Sequence, residues 1–165
     1  MKTLICGAGN ISLSDEGFGV HFVRHLQDTY FIPKDVELCE SGITGMAGIQ
    51  LLQAADRVYF IDTVEAQGES GSIYRLEKQE ILLDQIPLKF SPHQIGLQEP
   101  LALSALCGKA PECLTFFGVV AESRGVGGEL SSRLRRRLEE LAWFLVDELA
   151  LEGVLLQEKG ELLAA

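Results

Sequence analysis

The sequence predicts an α/β protein with a mostly parallel, buried sheet. Apolar runs of strand length alternate with segments of helix length along the chain, which is the pattern of a parallel sheet covered by helices. The run Val58–Asp62 is continuously apolar and rich in β-formers up to its final acid, as expected for a central strand. A glycine-rich turn, Gly7–Gly19, joins the first apolar run to the first amphipathic segment.

The first half of the chain is predicted to hold three strands and two helices. The strands are expected at about 2–6, 35–39 and 58–62, and the helices at about 16–29 and 45–55. The first helix is supported by apolar residues at helical spacing, namely Val20, Val23 and Leu26.

The second half opens with a turn at Gly68–Gly71, after which a short strand at about 72–76 is expected to return antiparallel. No element is assigned to 80–95, which contains two prolines. A helix at about 96–107 leads to a strand at 113–120. Ser131 or Ser132 can cap a last helix that runs to about 151. Its inward-facing residues are predicted to be Leu134, Leu138, Leu141, Leu145 and Leu149.

Composition limits the possible function. At 165 residues, with 47% hydrophobic and 23% charged residues, the chain is expected to form one domain over residues 1–165. A formal net charge of −10 disfavours nucleic acid and anionic membranes as partners. No apolar run approaches the ~18 residues of a membrane span.

The predicted compartment is the cytoplasm. None of the four cysteines stands in a Cys-x-x-Cys pair, which disfavours a zinc or iron–sulfur site. The first strand begins too early to leave room for a signal peptide, and Cys6 and Cys39 are expected to be buried in strands. Both observations favour a reducing environment. We expect the protein to be a monomer.

The turn after the first strand carries two acids, Asp15 and Glu16. Such turns lie where α/β proteins bind ligands, and most are neutral because they hold phosphate at a helix N-terminus. Two carboxylates there repel phosphate and attract a cation. Asp15 is equally well explained as a helix N-cap. A dinucleotide site is disfavoured, because the third glycine of Gly-x-Gly-x-x-Gly falls on Ser12.

Four acids are expected at the carboxyl ends of strands: Glu16, Glu40, Asp62 and Glu122. In a parallel sheet these ends share one edge, so the carboxylates are predicted to converge on one crevice. Asp62 gives the strongest indication of such a crevice, because it ends an apolar run, where a charge without a partner is costly to bury. The alternative is that Asp62 caps the turn that follows it.

The histidines fall into two groups. His21 and His25 are four residues apart on the first helix, and no acid or cysteine of that helix completes a metal site, which favours a surface role. His93 lies in the turn Ser91-Pro92-His93-Gln94, just before a predicted helix. With Glu16 and Asp62 it would offer oxygen and nitrogen ligands suited to nickel, cobalt or zinc.

With these residues the chain resembles the endopeptidases that mature nickel–iron hydrogenases. The resemblance covers nearly the whole chain. It rests on Gly9-Asn10 with Asp15-Glu16-Gly17-x-Gly19, on Asp62, on Ser91-Pro92-His93-Gln94, and on Gly118 leading to Glu122-Ser123.

The resemblance implies a phosphorylase/hydrolase-like fold, in which a mixed, mostly parallel five-stranded sheet lies between two helical layers (α/β/α). It also implies removal of a C-terminal extension from the [NiFe] hydrogenase large-subunit precursor once nickel is inserted. The metal-contacting acid of the family falls on Glu16, its strand-end aspartate on Asp62 and its loop histidine on His93. These residues would contact nickel held by the cysteines of the precursor, so the protease needs no permanent metal.

One loop departs from the family. Many relatives have Asp-Gly-Gly-Thr after the second strand, where this chain has Glu40-Ser41-Gly42-Ile43-Thr44-Gly45. Glu40 keeps the acid with a longer reach, while Ser41 has less backbone freedom than glycine. We expect Glu40 and Gly42 to touch the precursor and to shape selectivity for it.

Two rival functions share these features. A non-cleaving, nickel-dependent chaperone or checkpoint for the large subunit would use the same ligands. A dinucleotide-binding domain would use Gly7-Ala8-Gly9 for phosphate and Glu40 for ribose. The sequence also leaves open whether the acids act as an aspartic-type pair or only as ligands. The basic cluster of the last helix, Arg133 with Arg135–Arg137, is best explained as a solvated face.

Overall fold

A computed structural model describes residues 1–40, 45–82, 89–90 and 95–160 of the chain. The strands are β1 (Thr3–Gly7), β2 (Tyr30–Phe31), β3 (Val36–Cys39), β4 (Arg57–Glu65), β5 (Ile73–Glu77), β6 (Lys89–Phe90), β7 (Cys113–Val120) and β8 (Gln157–Glu158). The helices are α1 (Phe18–Thr29), α2 (Gly45–Ala54), α3 (Lys78–Leu82), α4 (Ile95–Leu106) and α5 (Ser132–Leu151).

The main sheet has the strand order β3-β1-β4-β7-β5. Its first four strands are parallel, and β5 pairs antiparallel with β7. The prediction of a mixed, mostly parallel sheet of five strands is therefore confirmed. A sixth, two-residue strand, β6, pairs antiparallel with the end of β4, and β2 pairs with β8 outside this sheet.

Helices cover both faces of the sheet and make three layers. On one face, Phe22 of α1 and Leu141 of α5 pack into a buried cluster with Tyr59 and Phe117 of the sheet. On the other face, helical residues such as Leu52 of α2 and Leu101 of α4 pack with a second set of sheet residues. Alternate residues of each central strand thus enter different cores, which explains why the strand sequences are continuously apolar.

The predicted last strand and last helix agree closely with the structure. β7 has the predicted bounds, and the five inward leucines of α5 are all buried. Ser131 is the N-cap of α5, because its side chain accepts the backbone N–H of Leu134. In the stretch that sequence left unassigned, the structure places part of α3 and the whole of β6. No described helix is both long and apolar enough to cross a membrane.

Two predicted boundaries near the functional edge are wrong. The first helix begins at Phe18, since Ser14–Gly17 forms a separate 3-10 turn. The central strand does not end at Asp62 but continues to Glu65. The pairing of β1 with β4 stops at Gly7, whereas β7 pairs with β4 as far as Val64 and supports the extra residues.

Candidate active site

Asp62 is buried in β4 and leaves one carboxylate oxygen unused. The neighbours two residues away on either side, Phe60 and Val64, belong to the core beneath α2 and α4, so Asp62 faces the same side. It is 1% exposed. Its Oδ1 accepts the backbone N–H of Thr63 at 2.7 Å, while Oδ2 has no hydrogen-bond partner among the described residues. A buried oxygen in this state calls for a proton or a cation.

The surroundings of Asp62 raise its pKa from 3.8 to about 7. Loss of hydration is the largest cause. The Thr63 N–H lowers the pKa, and the charge of Glu16 raises it further. Close to neutral pH, this carboxyl can therefore lose its proton to solvent when a cation binds to it.

Glu16 lies on the 3-10 turn at the carboxyl end of β1, and this turn packs against β4. Its side chain is largely buried, with 25% of its surface exposed. Its charge acts on Asp62, and its Oε1 lies 3.8 Å from Nε of Arg124. The structure thus places Glu16 and Asp62 together at the edge where α/β proteins bind ligands.

Asp15 binds backbone donors with both of its carboxylate oxygens and does not cap the first helix. It lies within the 3-10 turn, and Gly17 occupies the N-cap position of α1. Its Oδ2 accepts the backbone N–H groups of Glu122 at 3.0 Å and Ser123 at 2.8 Å, and its Oδ1 accepts that of Ser131 at 2.7 Å. Asp15 therefore fastens residues 121–131, the β7–α5 loop, to the turn that carries Glu16.

The glycines of the first turn serve close packing. A Cβ on Gly19 of α1 would overlap the carbonyl oxygens of Ala8 and Ile61, and one on Gly9 would overlap that of Glu16. Gly9 also has a φ of +135°, which side chains rarely allow. The local backbone is further closed by a hydrogen bond from the Asn10 N–H to the Glu16 carbonyl at 3.0 Å. These contacts explain the glycines without a bound phosphate.

Glu40 and Glu122, the other two acids expected in the crevice, have arginine partners. Oε2 of Glu40 lies 2.9 Å from Nη2 of Arg24 on α1. Oε1 of Glu122 lies 3.8 Å from Nε of Arg133 on α5. Of the four predicted acids, Glu40 and Glu122 therefore have arginine counterions, whereas the charge of Glu16 acts on Asp62.

Gly42 and His93, also predicted site residues, lie outside the described residues. The structure nevertheless shows the direction of the chain before His93. β6 pairs Lys89 with Glu65 and Phe90 with Val64, so it runs antiparallel to β4 and heads towards Asp62.

His21 and His25 line a groove of about 370 Å³ between α1 and the start of α5. His21 is not a simple surface residue, because its Nε2 is buried and has no hydrogen-bond partner within the described ranges. Nowhere in those ranges do three or more His, Cys, Asp or Glu side chains form a group that could hold a metal. The second metal site considered for these histidines is not supported.

Sequence reasoning missed two charged residues of the site, Arg124 and Glu65. Arg124 follows the carboxyl end of β7, and Glu65 is the last residue of β4. The two side chains form an ion pair beside Glu16. The position of Arg124 shortly after the predicted strand at 113–120 is a sequence signal for it, because basic as well as acidic residues after strand ends can reach this edge of the sheet.

The fold and the two interacting carboxylates define an α/β protein with an acidic site at the carboxyl edge of its sheet. The family model HycI, hydrogenase maturation protease, matches residues 20–148. The chain belongs to this family, and it is a peptidase.

Relatives and solved structures agree with this assignment. The chain is 32% identical to the hydrogenase expression/formation protein HupD of Thiocapsa roseopersicina, covering 97% of this chain and 73% of the relative. It is also 32% identical to the hydrogenase 2 maturation protease of Escherichia coli, over 74% of this chain and 75% of the relative. The structure of the hydrogenase maturating endopeptidase HybD from E. coli superposes with a TM-score of 0.88 at 28% identity, covering 98% of this chain and 99% of that one.

Proposed function

We propose that this peptidase removes the C-terminal extension from the nickel-loaded large-subunit precursor of a [NiFe] hydrogenase. The observation that carries the proposal is the buried Oδ2 of Asp62, which has no hydrogen-bond partner among the described residues and lies in the field of the Glu16 charge. Family membership supplies the reaction class, since the relatives are named as hydrogenase maturation proteases. Nickel enters as part of the substrate.

The burial of Asp62 explains why binding of the precursor should depend on its nickel ion. Burial disfavours the ionised form of Asp62. When a precursor without nickel binds, Asp62 either keeps its proton or carries a buried negative charge that no cation compensates. A divalent cation at Oδ2 compensates that charge and displaces the proton. The favourable contact is therefore made with nickel-loaded precursor and is missing with nickel-free precursor.

Glu16, Asp62 and His93 are the proposed contacts to nickel. Carboxylate oxygens and an imidazole nitrogen suit a borderline divalent ion. His93 follows Phe90 by three residues, and β6 heads towards Asp62 at that point. This direction of the chain supports the inclusion of His93.

Peptide hydrolysis needs a water to add to the scissile carbonyl and a proton to reach the leaving amine. The Asp62 carboxylate, which is ionised once the cation has displaced its proton, can accept the proton of that water. Asp62 therefore has two proposed roles, as base and as contact to nickel. If Asp62→Asn still forms a nickel-dependent complex with the precursor but does not cleave it, the base role is favoured. Loss of both complex and cleavage favours the contact role.

The test is mass spectrometry of purified precursor, with and without nickel, after incubation with this protein. We expect loss of a C-terminal peptide from the nickel-loaded precursor alone. His93→Ala should abolish this cleavage, and His25→Ala, on the opposite side of the sheet from the face of Asp62, should leave it intact. A stable nickel-dependent complex without shortening would instead support a checkpoint protein.

Three further properties belong to this proposal. Glu40 and Gly42 shape selectivity for the precursor, testable by comparing Glu40→Asp with the parent on several precursors. The protein works in the cytoplasm, in line with its four cysteines, all within the described residues, being thiols. It acts as a monomer, for which light scattering should give a mass near 18.1 kDa.

A further inference from the structure

Arg124 is a positive charge that the structure places directly in the acidic site. It extends from the β7–α5 loop, and its guanidinium forms an ion pair with Glu65 at the end of β4. Its Nε also lies 3.8 Å from Oε1 of Glu16. One of the carboxylates proposed to meet the nickel of the substrate therefore already faces a cation of the protein itself.

The position of Arg124 is set by the same hydrogen bonds that hold Glu16. Asp15, the neighbour of Glu16, accepts the backbone N–H groups of Glu122 and Ser123, which immediately precede Arg124. The Asp15 N–H in turn donates to the Ser123 carbonyl at 3.2 Å. The backbones that carry the guanidinium and the Glu16 carboxylate are thus joined to each other, which keeps the two charges near one another.

The two carboxylates of the site consequently differ in their state before substrate arrives. Glu16 has a nearby cation, whereas the Oδ2 of the buried Asp62 has no hydrogen-bond partner in the part of the chain that the structure describes. An incoming divalent ion would therefore find the Asp62 Oδ2 unoccupied, whereas the Glu16 carboxylate would already have the Arg124 guanidinium nearby. It can gain the full attraction of Glu16 only if the guanidinium withdraws, and the guanidinium can withdraw from Glu16 while it keeps its existing ion pair with Glu65.

We propose that Arg124 is the resident counterion of Glu16 and competes with the divalent cation of the substrate for this carboxylate. Arg124 thereby sets how tightly the site holds a cation, and it acts as a specificity-determining residue. This inference rests on the proposed function, in which Glu16 contacts nickel. An arginine in this role favours release of weakly attracted cations, because each of them must displace a guanidinium.

Calorimetric titration of the full chain with Ni²⁺ alone tests the inference at constant pH and ionic strength. Arg124→Gln should tighten nickel binding by about fivefold, the upper range for a partly exposed ion pair. Arg124→Lys should fall between Gln and the parent, because it keeps the charge but not the planar fork. Thermal unfolding should show that each variant remains folded.

Arg133→Gln is the matched control. Arg133 has a similar exposure to Arg124 (47% against 44%) and the same 3.8 Å separation from a glutamate, but its partner is Glu122. Its removal should change nickel affinity by less than about twofold, because Arg133 faces Glu122 rather than a proposed nickel contact and its exposed charge is screened. If Arg124→Gln behaves like Arg133→Gln, or weakens nickel binding, the counterion role is overturned.

Glu16→Gln separates this inference from the proposed function. It should weaken nickel binding. The double variant Glu16→Gln/Arg124→Gln should then bind nickel no more tightly than Glu16→Gln alone, because the carboxylate for which Arg124 and nickel compete is gone. A weakened Glu16→Gln with an unresponsive Arg124→Gln would overturn the counterion role alone. An unchanged affinity in Glu16→Gln would remove Glu16 as a nickel contact and overturn both.

Discussion

Asp15 and Asp62 are both buried, and both lie at the carboxyl edge of the sheet, yet their surroundings differ. Asp15 accepts three backbone N–H groups from the β7–α5 loop. Asp62 accepts one, from Thr63, and its second oxygen has no hydrogen-bond partner in the described ranges. The comparison teaches that the supply of donors decides the role of a buried carboxylate. With donors it stabilises the fold, and without them it is available to a ligand.

The largest expected effect comes from neutralising Asp62. Asp62→Asn should reduce precursor cleavage by at least about 100-fold, the lower range for loss of a general acid or base. The same change should stabilise the protein by about 2 kcal/mol above pH 7, since it removes a buried charge while leaving an amide without a full set of partners. Cleavage assays and urea unfolding measure the two effects. A variant that is both inactive and less stable would mean that Asp62 has a structural role like that of Asp15.

The pH dependence of the free energy of unfolding should show the effect of burying Asp62 with only one donor. Asp62 has a pKa of 3.8 in the unfolded reference and about 7 in the folded protein. Between these values the unfolded state loses its proton first, so the free energy of unfolding falls as pH rises and levels off above pH 7. The total change is about 4 kcal/mol. Subtracting the profile of Asp62→Asn isolates this contribution, and a flat difference would show that Asp62 titrates normally.

Asp15→Asn should act in the opposite direction, destabilising the protein by about 3 kcal/mol. The amide keeps one acceptor oxygen but turns an NH₂ group towards backbone donors, which then lack a partner. Chemical denaturation measures the loss, with the exposed Asp28→Asn on α1 as the control, expected within about 0.5 kcal/mol of the parent. Equal stabilities of the two variants would contradict the role of Asp15 in holding the β7–α5 loop.

The smallest expected effect tests the end of the β7–α5 loop. Ser131→Ala removes the N-cap bond to Leu134 but keeps the backbone N–H that Asp15 accepts. We expect a loss of about 1 kcal/mol, with Ser132→Ala as the neighbouring control. A loss as large as that of Asp15→Asn would mean that the cap, rather than the carboxylate, holds the loop.

Sequence periodicity was sufficient for most of the fold. The leucine spacing of α5 and the uninterrupted apolar run of β7 are local signals, and both elements agree with the structure. The extension of β4 past Asp62 was not predictable in this way, because it depends on pairing with β7 and β6. The two-residue pairing of β2 with β8 likewise depends on contacts between distant parts of the chain.

The site was predictable to a similar degree. Parallel topology alone brings the end of β1 near β4, and so predicted that Glu16 and Asp62 would lie near each other. The role of Asp15 was misassigned because its donors lie 107 to 116 residues away. Arg124 was missed for the same reason, since its partner Glu65 is 59 residues distant and lies on a strand extension that was not foreseen.

The length of chain enclosed by the Asp15 bonds has a consequence for folding kinetics. Bringing together segments 107 to 116 residues apart carries a large entropic cost, and such contacts form late. The turn that bears Glu16 and the loop that bears Arg124 should therefore join after the sheet has assembled. We expect Asp15→Asn to accelerate unfolding while leaving the refolding rate nearly unchanged. A chain that is still folding would then have a hydrophobic core before it has a site able to engage a cation.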